Sequence, residues 1–139
     1  MGLFMDVDGI PLAFDITKGN KSEQETLQPI EDRIAYDFEC SKFIVCTDAG
    51  LSSIENRKFN NIKDRAFITT QSIKKLKKYL KEWALEKTGW HLSGENKTYD
   101  ISMFDNNESA TKEFFNKVFY KERWINDNGL EQKLIVTFL

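Results

Sequence analysis

Lys42-Phe43-Ile44-Val45-Cys46-Thr47-Asp48-Ala49-Gly50-Leu51-Ser52-Ser53-Ile54-Glu55-Asn56 is the stretch on which the reading of this chain turns. Its first half is a short apolar run, rich in β-formers and without polar alternation, the pattern of a strand buried on both faces. Asp48 stands at the C-terminal end of the run. Ala-Gly follows, and Ser52 and Glu55 have the spacing of a capping box that opens a helix. Open α/β sheets carry their chemistry in the crevice beyond the C-terminal ends of their strands. Asp48 is therefore a candidate catalytic or metal-binding carboxylate. An aspartate at such a place also simply ends a strand and turns the chain, and position alone does not choose between the two.

Upstream of this stretch, residues 1–16 read as a hairpin. Two apolar runs, Gly2–Met5 and Ile10–Ile16, flank Asp6-Val7-Asp8-Gly9, and Asp-Gly is a strong turn signal. Pro11 fits the start of a strand or an edge. The first strand is expected to begin at Met1, with no leader ahead of it. Thr17–Lys21 reads as a loop, and Ser22 with Glu25 supplies another capping box. Leu27, Ile30, Ile34 and Phe38 then recur at helical spacing, the stripe of a helix packed on a sheet. Pro29 predicts a kink, or a start nearer Gln28.

Downstream, Ile54, Phe59 and Ile62 mark a short helix and Arg65–Thr70 a further strand, giving the order β-β-α-β-α-β. From Ser72 the texture changes. Ile73, Leu76, Tyr79, Leu80, Trp83 and Ala84 form a 3.6-period stripe, opposite Lys74, Lys75, Lys77, Lys78 and Lys81. Those lysines read as a solvated face, with a DNA-backbone contact as the functional alternative. Residues 88–112 are polar, and only Tyr99–Met103 looks strand-like. Phe114–Tyr120 is open between helix and strand. Asn126-Asp127-Asn128-Gly129 is a turn between a strand through Tyr120–Ile125 and a final one, Lys133–Leu139.

A chain of 139 residues fits one domain of soluble composition, 40% apolar and 30% charged with net charge −2. No run approaches the ~20 apolar residues of a membrane span, and the N-terminus lacks a signal-peptide layout. Cys40 and Cys46 match no zinc or redox spacing, and Cys46 reads as a buried reduced thiol. A cytoplasmic protein without membrane attachment is the expectation. The near-neutral charge speaks against a stand-alone nucleic-acid binder. His91 lacks ligand-spaced partners and reads as a surface or loop residue, and Trp83, Trp90 and Trp124 read as core rather than as base-stacking platforms.

Three segments carry a resemblance: GLFMDVDGIPLAFDITKGNKSEQETLQPI from Gly2, KFIVCTDAGLSSIEN from Lys42 and RAFITTQSIKKLKK from Arg65. The Asp-Gly-Ile-Pro-Leu hairpin, the Gly19-Asn20-x-Ser22-Glu23 loop and Asp48-Ala49-Gly50 with Asn56 beyond it resemble the DDE transposases of bacterial insertion sequences. The subgroup is the one whose ribonuclease H-like catalytic domain is interrupted by a β-rich insertion. The resemblance covers residues 1 to about 80, and residues 81–139 resemble the start of the insertion. It implies an α/β fold: a truncated ribonuclease H-like mixed sheet (hairpin-α-β-α-β) over residues 1–71, lacking its first central strand. An amphipathic helix and part of the β-rich region follow over 72–139.

It also implies a chemistry in which three carboxylates hold two divalent metals, normally Mg²⁺, at a DNA phosphodiester. Asp48 matches the second acid of that triad, as catalytic residue and metal ligand. The first acid belongs on a strand before the hairpin and the third on a helix after the insertion, and Asp6, Asp8 and Asp15 match neither. Asn56 and Glu23 match positions near the catalytic face as supporting or helix-start residues. A fragment of this kind is expected to be inactive alone. The other reading is a non-catalytic dimerisation or regulatory module. The missing central strand leaves open backbone groups, to be closed either by Lys133–Leu139 joining the sheet or by a second copy docking in a homodimer.

Overall fold

The hairpin forms as read: β1 (Gly2–Met5) pairs antiparallel with β2 (Pro11–Asp15), with an irregularity at Phe4/Met5. Asp6 builds its turn. Its Oδ1 accepts the backbone N–H groups of Asp8 at 2.9 Å and Ile10 at 2.8 Å, and Gly9 takes the left-handed φ of 79° that the turn requires. The computed structural model describes residues 2–16, 18–40, 42–105 and 108–138. Met1, Thr17 and Leu139, on which parts of the expected first strand, loop and last strand fall, lie outside the described residues. Contacts divide the chain into two units, Met1–Ser72 and Ile73–Leu139, and the described residues form a mixed α/β structure of four α-helices and three sheets.

In the first unit, α1 (Glu23–Asp37) runs through Pro29 without the predicted delay in its start. Pro29 and Glu25, whose carbonyl the proline ring cannot serve, are both exposed, so the orphaned acceptor is not shut away from solvent. Ser22 caps the helix through its backbone carbonyl rather than its hydroxyl, accepting from Glu25 N–H at 3.1 Å. β3 (Phe43–Thr47) and β4 (Arg65–Thr69) pair parallel and in register, joined by a crossover that carries α2 (Ile54–Phe59). The inward face of this pair meets both helices through Arg65. Its guanidinium lies 4.8 Å from the Phe43 ring and 4.6 Å from the Phe59 ring, and bonds Asp32 at 3.1 Å.

Two expectations fail here. β3 is not buried on both faces: Ile44 is 64% exposed, and Cys46 is an exposed free thiol rather than a buried one, with Ile68 level with it on β4 and 63% exposed. An apolar run reads as doubly buried, but in this unit only one face is covered. Nor do the four strands make one mixed sheet. β1–β2 and β3–β4 are separate two-stranded ladders among the described residues.

The second unit begins with a single 3₁₀ turn, Ile73–Lys75, before α3 (Lys78–Leu85), so the predicted continuous helix is broken at Leu76–Lys77. A four-stranded antiparallel sheet follows in the order β6 (Thr98–Tyr99), β5 (Trp90–Leu92), β7 (Phe119–Asp127), β8 (Leu130–Phe138). A 3₁₀ turn (Ile101–Phe104) and α4 (Glu108–Glu113) lie between β6 and β7. The Tyr99–Met103 strand therefore shrinks to two residues, and the ambiguous Phe114–Tyr120 segment resolves into a helix exit and a strand start, turning at Asn116 with φ 63°. Asn128-Gly129, at φ 50° and 83°, make the two-residue turn of the long ribbon.

Trp90, Leu92, Tyr99, Phe119, Val136 and Ala84 form the buried core of this unit, with Phe104 and Phe114 edge-on to Phe119 and Tyr99. Trp90 is core as expected; Trp124 is 69% exposed and is not, because β5 pairs β7 only at Phe119 and Tyr120 and leaves the ribbon uncovered beyond. His91 sits in a strand rather than a loop, half-buried 5.9 Å from the Tyr120 ring. The last strand stays in this sheet. It pairs with β7 along its whole described length, so it does not fill a slot beside β1 or β3. Among the described residues no helix is long and apolar enough to cross a membrane.

Candidate functional site

Asp48 leaves β3 at its C-terminal end and starts a tight turn, closed by Leu51 N–H on the Asp48 carbonyl at 3.3 Å. Thr69 of β4 donates its hydroxyl to the same carbonyl at 3.1 Å, and Thr47 lies 3.0 Å from that hydroxyl. The backbone of Asp48 is thus fixed to the neighbouring strand by side chains after the ladder has ended. Its carboxylate folds over the turn: Oδ1 accepts Gly50 N–H at 2.8 Å. Glycine leaves room for that approach: a Cβ at residue 50 would lie 3.0 Å from Oδ1, and the carboxylate would have to shift by a few tenths of an ångström. Oδ2 has no hydrogen-bond partner among the described residues, and Asp48 is exposed. One carboxylate oxygen is held and the other is offered to solvent.

The turn is bound just as tightly from the helices. Ser52 Oγ donates to the Ala49 carbonyl at 3.0 Å. The helix cap is one residue later than the capping box predicts: Ser53, not Ser52, accepts Asn56 N–H at 3.1 Å. Gln24, in the first turn of α1, donates its amide Nε2 to the Gly50 carbonyl and accepts Ser53 N–H on Oε1 at 2.9 Å. Asn56 is 3% exposed and fully used. Its Nδ2 reaches the carbonyls of Gln24 at 3.0 Å and Leu51 at 3.1 Å, and its Oδ1 accepts from Gln28 at 3.1 Å. Glu23 stands beside this network as the first residue of α1, exposed and outside it. The motif reading chose Glu23; the residue that reaches the turn is Gln24.

What the site can hold follows from its donors. Asp48 offers one hard oxygen to a cation such as Mg²⁺. No group of three or more His, Cys, Asp or Glu residues able to share a metal exists among the described residues. The residues present fit one ligand position and do not fit a complete Mg²⁺ site. Asp6 is committed to its turn, and Asp15 lines a shallow cavity of about 180 Å³ with Lys21, Glu25 and Arg33, below the size of ordinary ligand pockets.

Two further charged groups are buried, one in each unit. Glu31 of α1 takes both its oxygens to Asn60 Nδ2, at 3.1 and 2.9 Å. Loss of water pushes its carboxyl up from 4.5 to about 7 against the opposing pull of Asn60 and Arg65. Lys121 of β7 ends at the C-terminus of α3, donating to the Glu86 carbonyl at 2.5 Å and the Trp83 carbonyl at 3.3 Å, with its ammonium 4.8 Å from the Trp90 ring. Burial lowers its pKa. Both were detectable as a charge standing in a core-facing position: Glu31 one residue after Ile30 in the α1 stripe, and Lys121 two after Phe119 in β7. Of the five lysines of that row, Lys74, Lys75, Lys77 and Lys78 lie exposed, with Lys78 3.9 Å from Glu82, and Lys81 is half-buried. No protein-family model, curated protein or solved structure matches this chain.

Proposed function

We propose that this chain is part of a DDE-type DNA transposase, with Asp48 as one metal-holding carboxylate of a ribonuclease H-like core. One observation carries the reading. Asp48 ends a strand of a parallel pair, with one oxygen held by Gly50 and the other facing solvent, in the element order hairpin-α-β-α-β. When bound, Mg²⁺ would activate the attacking oxygen and stabilise the leaving one at a DNA phosphodiester. Asp48 would be one ligand, and the described residues supply no second, so the chain alone is inactive in this reading. DNA is the partner of the whole enzyme, and the location is cytoplasmic.

The test is a Mn²⁺ titration of the ¹⁵N-labelled chain. Paramagnetic broadening centred on Asp48–Gly50, lost in Asp48→Asn, is the expected result. Broadening elsewhere, or none, removes Asp48 as a metal ligand.

A second reading has its own observation. The single carboxylate and the open ladder edges suit a non-catalytic module that dimerises through its unpaired strands. Light scattering decides it: a monomer at all concentrations removes the module.

A further inference from the structure

The loop after β3 is specified by side chains to a degree that turning the chain does not require. Residues 48–53 are bonded by the hydroxyls of Ser52, Ser53 and Thr69 and by the amides of Gln24 and Asn56, whose own second bonds lead back to Gln28 and Leu51. Exposed turns usually leave such groups to water. Here a buried asparagine and a helix-start glutamine do that work instead, and an Asn56 buried to 3% without its partners would be costly.

The geometry points to Gln24 and Asn56 as a positioning clamp that sets the direction of the Asp48 carboxylate. The chain of contacts is short. Asn56 Nδ2 fixes Gln24, donating to its backbone carbonyl at 3.0 Å and to its Oε1 at 3.3 Å. Gln24 Nε2 holds the Gly50 carbonyl, in the peptide unit that follows the Gly50 N–H bonded to Asp48 Oδ1, and so limits the movement of the residue that carries that N–H. Oδ1 is therefore held from a distance by two helices, and Oδ2 is left pointing outward. Asn56 is buried with its amide N–H groups engaged, and Gln24 spends its Oε1 and one Nε2 hydrogen on the turn, so both are placed to hold it. Such support of a site residue by locked neighbours is what precise metal geometry needs. This inference rests on Asp48 being the metal carboxylate, but the direction of the carboxylate can be read without metal.

The experiment uses the full 139-residue chain, ¹⁵N/¹³C-labelled, as wild type, Gln24→Ala, Gln24→Glu and Asn56→Asp. Three-bond couplings report the Asp48 χ1 rotamer, and amide exchange reports Gly50 and Ser53 against the β3 amides bonded to β4. Expected for wild type is one Asp48 rotamer. Expected for Gln24→Ala is rotamer averaging, with Gly50 and Ser53 exchanging on the order of tenfold faster while the β3 amides hold. Gln24→Glu keeps the acceptor for Ser53 and loses the donor to Gly50, so Ser53 protection stays and Asp48 averages. Asn56→Asp frees both. An unchanged Asp48 rotamer in Gln24→Glu, which is the variant least disturbing to folding, overturns the clamp. So does loss of Gly50 protection only in step with β3, which marks a merely structural role. Mn²⁺ added to the same samples separates the two claims: no response in wild type removes the metal reading and leaves the rotamer result standing.

Discussion

Replacing Glu31 by glutamine should make the first unit more stable at pH 8 and leave it unchanged at pH 4. Glu31 is 3% exposed and Asn60 2%, and Asn60 Oδ1 is a buried acceptor without a partner. A carboxylate cannot supply the missing donor; a protonated carboxyl can, once the amide turns to face it in a cyclic acid–amide pair. Arg65 favours the charged form and Asp32 the neutral one, and burial outweighs both. The folded state therefore keeps a proton that the unfolded chain has released between pH 4.5 and about 7. For a raised carboxyl the stability is full below pH 4.5 and falls as pH rises to about 7. At 1.36 kcal/mol per tenfold, the loss across that window is about 3 kcal/mol. Glutamine is isosteric and neutral, so Glu31→Gln should abolish the slope. The three tryptophans, 83, 90 and 124, all lie in the second unit. Urea unfolding followed by ¹H–¹⁵N peak intensities of α1 then reads the first unit, with tryptophan fluorescence as a control that should not respond. Parallel wild-type and Glu31→Gln curves from pH 4 to 8 refute the reasoning.

Lys121→Met should destabilise the second unit by about 1–2 kcal/mol, because it removes the charged donor from the Glu86 and Trp83 carbonyls at the end of α3 and leaves them with Trp90 Nε1 at 3.0 Å and Glu86 N–H at 3.4 Å. Tryptophan fluorescence in a urea titration measures it, and a change under ~0.5 kcal/mol would sink the claim. Gly50→Ala should turn the Asp48 carboxylate away from a Cβ that would lie 3.0 Å from Oδ1, yet change stability by less than about 1 kcal/mol, since Gly50 does not need a left-handed backbone. An unaltered Asp48 rotamer with intact Mn²⁺ broadening would contradict it.

What the sequence made legible was local. The Asp-Gly hairpin, the α1 stripe, the β3 run and the Asn-Gly ribbon turn each announce themselves within one continuous stretch, and each forms. What it hid depends on partners. Ile44 and Ile68 read as core because nothing in an apolar run says whether a second layer arrives to cover it. Trp90-His91-Leu92 is too short to signal a strand, and gains its identity only from pairing with Tyr99 and Thr98 on one side and Tyr120 and Phe119 on the other. Trp124 reads as core because a tryptophan usually is, and nothing local shows that the ribbon outruns its neighbour. Around Asp48 the same split holds. The aspartate and Gly50 were visible as a motif, whereas Gln24 lies one helix away and is joined to them only by the fold.

Completing the sheet and completing the metal site are one problem or two, depending on what pairs with the open edge of β3. Strands in a sheet lie about 4.8 Å apart. A strand entering parallel to β3 would bring the residue level with Asp48 to about that distance, close enough for two carboxylates to share metals set ~3.5–4 Å apart. A second copy cannot do this through β3 itself. A two-fold contact is isologous and pairs the strands antiparallel. Centred on Val45, it would set Asp48 opposite the partner's Lys42, leaving the two aspartates some six residues apart along the sheet, about 20 Å at 3.4 Å per residue. A β3–β3 dimer therefore satisfies the backbone and leaves each Asp48 alone. Light scattering and a Mn²⁺ titration on the same sample test this. If the chain dimerises through β3, shown by loss of the dimer in Ile44→Lys, Mn²⁺ affinity per chain should match that of the Ile44→Lys monomer. A dimer that binds Mn²⁺ at least tenfold more tightly than its monomer would mean that two chains bring carboxylates together, and the antiparallel geometry would be wrong.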